Sequence, residues 1–342
     1  MHYDETYSDE YEQYEEQFNP LRLDRQARRK RKPKLVHTPK KAAHDIVDEL
    51  ADETAELEGG FNTTYQPSRY EEGWLLDSLR PFYELHFIHD VLALVKGGKE
   101  ASVYRCAAIL DNGNDEPLLA AKVYRPRMFR QLRNDGMYRE GRGILAADGT
   151  EVIERDRRTH RAISKKTAFG SQVAHTSWLM HEYNTLQQLY DAGAAVPRPV
   201  SASENAILMS YYGDAQIAAP ILHHVRLEAD ELAPLFAEVI RNVELMLQHG
   251  LIHGDLSAYN ILYWDGAITL IDFPQVTGCH SNSNAYMILQ RDVERICQYF
   301  AGQGLERDAS NIMTYLWKHY VERRPQDVEA DLSVLLAEAE EE

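Results

Sequence analysis

Apolar residues fall into regular spacings along most of the chain, and the regularity sets in near Trp74. The stretches LHFIHDVLALVKGGKEASVYRCAAIL (85–110) and EPLLAAKVYRP (116–126) are short apolar, β-branched runs broken by Gly-Gly and Asn-Gly-Asn turns. That pattern predicts three antiparallel strands. Residues 125–176 are polar and arginine-rich, with a hairpin expected around AADGTEV (146–152). In SWLMHEYNTLQQLYDAG (177–193), Leu179, Tyr183, Leu186 and Leu189 recur at helical spacing and Gly193 stops the helix. VPRPV (196–200) reads as an extended connector and AILMSYYG (206–213) as a buried strand. An amphipathic helix over 228–249 is capped by Gly250, and two more helices follow over roughly 286–302 and 309–322. Strands, a helix, further strands and then mostly helices predict an α+β architecture of two lobes with a cleft between them.

The first sixty residues break this pattern. Residues 1–20 are acidic and tyrosine-rich, 21–41 (LRLDRQARRKRKPKLVHTPKK) are densely basic, and acidity returns from Asp45 to Glu58. Charge blocks with few large apolar residues do not offset the entropy of ordering, so 1–60 is expected to be a largely disordered tail. The basic run is a solvated tail paired with its acidic neighbours or a contact for ribosome or rRNA. The chain as a whole, with 37 basic and 54 acidic side chains and a formal charge of −17, does not suit general nucleic-acid binding. Cys106, Cys279 and Cys297 stand far apart with no CxxC pair, which predicts reduced core cysteines and no zinc site. No apolar run reaches the roughly 18 residues of a membrane helix. The acidic N-terminus is unlike a signal peptide, so a cytoplasmic location with no membrane partner is expected.

Candidate chemistry concentrates in LIHGDLSAYNILYWDGAITLIDFPQ (251–275). Asp255 and Asp272 each lie beside an apolar run, where burial makes charge expensive, and Asn260 follows Asp255 by five residues. Two carboxylates and an amide at adjoining strand ends suggest a bound cation. The Asp-x-x-x-x-Asn spacing is that of a kinase catalytic loop, in which Asp255 orients or deprotonates an attacking hydroxyl and Asn260 holds Mg²⁺. Asp272, ending AITLID, matches the metal-binding aspartate that follows such a loop. Lys122, within LLAAKVY, is a buried-strand lysine that needs a partner, and Glu182 on the following helix is a candidate for the ion pair that holds ATP phosphates. GGKEASVY (97–104) lets backbone N–H groups approach an anion, but it lacks the Gly-Lys-Ser/Thr of a Walker A loop. His253 reads more readily as a packing residue than as a base.

At these residues the chain resembles the RIO family of atypical serine/threonine protein kinases, from about Leu94 to Phe300. The resemblance implies a protein-kinase-like fold whose shortened C-terminal lobe has no activation loop. It implies that GKEASVY is a glycine-poor nucleotide loop, with Lys99, Glu100, Ala101, Ser102 and Val103 at the ATP triphosphate. SWLMHEYNTLQQLYDAGAAVPRP resembles the family's helix and its exit, and in ILMSYYG the backbones of Ser210 and Tyr212 are expected to bind adenine. HGDLSAYN carries Ser257 where small-molecule kinases usually place His or another residue. IDFPQV resembles the family's metal loop, where Mg²⁺ or Mn²⁺ binds and Asp272 is a candidate for a transient aspartyl phosphate. After that loop, where relatives carry His-Pro, this chain has Asn282-Ser283.

The domain expectation is a tail over 1–60, a lead-in over 61–90, an N-lobe over 91–213, a helical C-lobe over 214–325 and an acidic tail over 326–342. No winged-helix pattern stands out in residues 1–80. The functional expectation is a RIO-type serine/threonine kinase acting on protein, with autophosphorylation or ATPase turnover as further products. A small-molecule phosphotransferase and a ribosome-associated scaffold without catalysis are the alternatives. Retention of Lys122, Asp255 and Asp272 weighs against the scaffold.

Overall fold

The structure is a computed structural model. It describes residues 63–322, apart from 99–100, 111–115, 126–139, 141, 147–148, 153–155 and 166. The expectations for the tail over 1–60, its basic run 21–41, the acidic tail, Lys99 and Glu100 therefore lie outside the described residues. The contacts divide the chain into two compact units. The first holds the described residues before 133 together with Val200–Tyr211, and the second holds the remainder. This grouping puts the helix around Glu182 in the second unit, whereas the sequence reading counts it in the N-lobe.

In the first unit, helix α1 (Arg69–Glu84) precedes strands β1 (Ile88–Gly97), β2 (Ala101–Ala108) and β3 (Leu118–Tyr124). Strands β4 (Pro199–Ala202) and β5 (Ala206–Ser210) complete a five-stranded sheet of order β1-β2-β3-β5-β4. β1, β2 and β3 pair antiparallel as the sequence predicts, and β5 joins the far side of β3. Alternation along β2 buries Ser102, Tyr104, Cys106 and Ala108 on one face. β3, flanked by strands on both sides, is buried from Leu119 to Tyr124.

Helix α1 lies within the lead-in expected over 61–90 and was not singled out in the sequence. Its Leu75, Leu79 and Phe82, at i, i+4 and i+7, join a core with Ile88, Val91, Tyr104, Leu119, Val123 and Leu208. Glu71 in its first turn accepts from the Ser68 backbone N–H at 3.3 Å, one half of a capping box.

The second unit is mostly helical: α2 (Arg157–Ser164), α3 (Ala168–Asp191), α4 (Leu232–Gln248), α5 (Ala285–Gly302) and α6 (Ala309–Leu316). α3 begins nine residues before the expected start, because Thr167 caps it by accepting from the Gly170 N–H at 3.1 Å. α4 starts at Leu232 rather than 228, since the Glu231 carboxylate accepts from the Glu228 N–H at 2.9 Å and holds a turn there. The expected helix over 309–322 is α6 followed by a π-helical turn, Trp317–Val321. The hairpin expected around 146–152 is present, with Leu145 bridged to Glu151.

Two short sheets carry the loops of interest: β6 (Leu251–Ile252) with β9 (Thr277–Gly278), and β7 (Ile261–Trp264) with β8 (Ala267–Leu270). The β7–β8 hairpin turns at Asp265-Gly266, both at positive φ, the requirement of a tight two-residue turn. The three cysteines are free and buried, as expected. Among the described residues no helix is long and apolar enough to cross a membrane.

Candidate active site

Within the first unit, the candidate nucleotide residues gather at the start of β2 and the middle of β3. A side chain at Gly98 would place Cβ 2.6 Å from the Ala101 carbonyl, so the turn into β2 admits glycine only. Val103 pairs directly with Lys122, which puts the two side chains on one face of the sheet. Ser102, 2% exposed, lies on the opposite, core-facing side with Tyr104 and Cys106, and its Oγ accepts from Arg125 at 3.5 Å. A ligand on the Lys122 face therefore meets Ser102 through its backbone. Lys122 is 9% exposed, and its ammonium lies 5.5 Å from the Tyr124 ring centroid, near enough for a cation–π contact. Ser210 ends β5, paired with Leu119. Tyr212 is where the chain re-enters the second unit, and its carbonyl accepts from the Ala219 N–H at 3.0 Å.

The candidate catalytic-loop residues belong wholly to the second unit. β6 delivers the loop His253–Asn260, β7 carries the chain away, and Asp272 stands two residues past β8. Strand pairing thus brings both carboxylates to strand ends, as the sequence pattern suggests. Asn260 donates from Nδ2 to the Asp255 carbonyl at 2.8 Å and to its Oδ2 at 3.1 Å. That commits the amide nitrogen and leaves the amide oxygen as the group able to meet a cation. Oδ1 of Asp255 accepts from Arg295 Nη1 at 2.7 Å. Asp272 is half-buried with φ +72°, a left-handed backbone that costs an ordinary residue roughly 1–2 kcal/mol.

His253 is buried between the two loops. Its Nδ1 accepts from the Asp255 N–H at 3.3 Å, and its Nε2 donates to the Ile271 carbonyl at 3.2 Å. Its ring packs on Phe273 with centroids 4.7 Å apart. Burial holds its pKa below the usual histidine value, so the imidazole is neutral, with both nitrogens occupied. Packing, the reading the sequence favours, is what this geometry supports.

Several residues that hold the site were not singled out from the sequence. From α5, Asp292 Oδ2 accepts from the Gly254 N–H at 2.8 Å, and Arg291 donates to the Gly254 carbonyl. Burial raises the Asp292 pKa, opposed by the nearby Arg291 guanidinium. Arg142 donates to the carbonyls of Pro274, at 3.0 Å, and Val276, bracing the loop after Asp272. Asn242 on α4, fully buried, accepts from the Ala195 N–H at 2.6 Å and holds the exit from α3. After the Asp272 loop, Asn282 donates to Thr277 Oγ1 at 2.8 Å and accepts from the Asn284 N–H at 2.8 Å, packing the loop by side-chain bonds. Glu182 is 1% exposed on α3.

A family model described as the RIO domain matches residues 148–312. The RIO-type serine/threonine-protein kinase Rio1 of Haloferax volcanii is 30% identical over 225 residues, 65% of this chain and 67% of its own length. The Rio1 kinase of Thermoplasma acidophilum is 31% identical over 141 residues, covering 41% of this chain and 73% of the relative. The serine/threonine-protein kinase RIO1 of Chaetomium thermophilum is 27% identical over 231 residues. That match covers 65% of this chain but only 41% of the fungal protein, so the chain spans less than half the length of that relative.

Proposed function

This chain belongs to the RIO family of serine/threonine protein kinases, and from that premise we propose that it transfers the γ-phosphoryl group of ATP to a hydroxyl on a protein. The observation that carries the reading is the buried Asp255–Asn260 unit, in which one hydrogen-bonded pair joins a carboxylate to an amide with a free oxygen. Asp255 receives the proton of the acceptor hydroxyl. As that oxygen bonds to the γ-phosphorus, the bond from phosphorus to the β,γ-bridging oxygen breaks, and its electron pair leaves with ADP. Lys122 offsets phosphate charge. The backbones of Ala101 and Val103 line the triphosphate, and those of Ser210 and Tyr212 meet adenine.

The residues present fit a magnesium ion. Among the described residues no group of three or more His, Cys, Asp or Glu could form an all-protein cage. Mg²⁺ at phosphoryl-transfer sites needs only one or two protein oxygens beside the phosphates, and the Asn260 amide oxygen and Asp272 carboxylate supply them. Once bound there, the ion neutralises charge on the phosphates. A cytoplasmic location is part of the same proposal.

The test is a labelled-ATP assay with Mg²⁺ on wild type, Asp255→Ala and Asp272→Asn, following free phosphate, phosphoserine and hydroxylamine-labile phosphoprotein. The expected result is phosphoserine that disappears in both variants while Asp255→Ala still binds ATP, because that change touches positioning and not the phosphate clamp. Label that is hydroxylamine-labile and depends on Asp272, with mostly free phosphate released, would make the working activity an ATPase through an aspartyl phosphate. Tight nucleotide binding with no turnover would leave a scaffold.

A further inference from the structure

Helix α5 carries two charged side chains on the face it buries: Asp292 and Arg295, each 1% exposed. A desolvated guanidinium is costly unless a well-placed anion meets it, and here Arg295 Nη1 donates to Asp255 Oδ1 at 2.7 Å. Anchoring the loop to the helix does not require this bond. Gly254 is already bracketed, with its N–H on Asp292 and its carbonyl accepting from Arg291. Those two bonds hold loop backbone, whereas Arg295 reaches past the backbone to a side-chain oxygen. The other oxygen of the same carboxylate, Oδ2, is met by Asn260 at 3.1 Å. A carboxylate held at each oxygen by a different element has lost its freedom to rotate.

We propose that Arg295 is a positioning residue for phosphoryl transfer, acting through Asp255. It withdraws Oδ1 against the buried face of α5 and leaves Oδ2, beside Asn260, as the oxygen that receives the hydroxyl proton. Arg295 takes no proton itself, since a guanidinium stays protonated. The proposal rests on the reading of Asp255 given above and adds to it which oxygen works and what fixes it. The positioning force includes a charge-assisted bond to a group 40 residues earlier in the chain.

The experiment uses the full chain and labelled Mg-ATP, summing free phosphate and phosphoprotein, with ATP affinity measured separately. Arg295→Met is expected to lower kcat by about 10- to 100-fold, the scale of a misplaced reacting group. ATP affinity should stay within about threefold, since the phosphate contacts lie elsewhere. Arg295→Lys is expected to recover part of the rate, as a point charge with poorer geometry. Placed on an Asp255→Asn parent, Arg295→Met should cost less than about threefold more, because the group it positions is already disabled. A purely structural role predicts the same loss in both parents. Wild-type kcat in Arg295→Met, equal losses in the two parents, or a loss that tracks ATP affinity would each overturn the proposal. Thermal melts identify a variant that has not folded. If Arg295→Met is one, Arg295→Lys and Arg295→Gln are compared on the two parents by the same criteria. A wild-type chain that yields neither product overturns the kinase reading and this proposal together, whereas an active wild type with an indifferent Arg295 overturns only the latter.

Discussion

Ser257 shows how a single side chain can be placed for something other than stability. It is fully buried in the loop His253–Asn260, and its hydroxyl has no hydrogen-bond partner. A buried hydroxyl left unanswered is a net cost to folding. Ser257→Ala should therefore leave stability unchanged or raise it by up to about 1 kcal/mol in denaturant melts. The same variant should lose phosphotransfer by about tenfold, as expected if the hydroxyl finds its partner in the reacting complex. Lower stability together with full activity would assign Ser257 to packing. The pairing of Asp255 with Asn260 was legible because their relation is local: the two bond across five positions. Arg295 was not legible, because its partner lies 40 residues away and an arginine on an amphipathic helix ordinarily reads as solvent-facing. Arg142 lies further still, 132 residues from the carbonyl it meets at Pro274.

Among the elements, β1, β2, β3 and β5 were readable from short apolar, β-branched runs and the turns between them, because a strand pattern is written in adjacent residues. Helix α1 was not read, although Leu75, Leu79 and Phe82 hold helical spacing. Pro81 and the acidic, tyrosine-rich flank obscured them. Its weight in the core gives a direct test. Leu79 is fully buried in that cluster, so Leu79→Ala should cost about 2–5 kcal/mol in denaturant unfolding, whereas a surface helix would lose far less. α3 carries a second test. His181 on that helix has its Nε2 2.8 Å from the Gly143 carbonyl, and burial, the largest influence, lowers its pKa below the ordinary value of 6.5. The folded state then binds fewer protons there than the unfolded chain. Stability from the neutral imidazole is complete above about pH 6.5 and declines as the pH falls below it. The melting temperature should drop between pH 7.5 and 5.5, and His181→Gln should flatten part of that slope. Parallel slopes for the two proteins would show that His181 takes no share in it.

At the scale of the whole molecule, the first unit is not one continuous piece of chain. Its sheet needs β5, which pairs with β3 from the other side of an excursion through the second unit. A chain that stops at residue 132 is accordingly expected to lack a cooperative melt and to associate through the open edge of β3, as followed by circular dichroism and light scattering. A sharp monomeric transition in that truncated chain would show that β5 is dispensable. This discontinuity was beyond the reach of sequence patterning, because nothing local in AILMS says which strand it will sit beside. The separation also sets an order of events on the ribosome. The excursion is the 67 residues of Arg133–Pro199. At ordinary elongation rates those residues take roughly 3–13 seconds to make. Throughout that interval the nascent chain carries three strands and an unfinished sheet, so α3 emerges before the first unit can close.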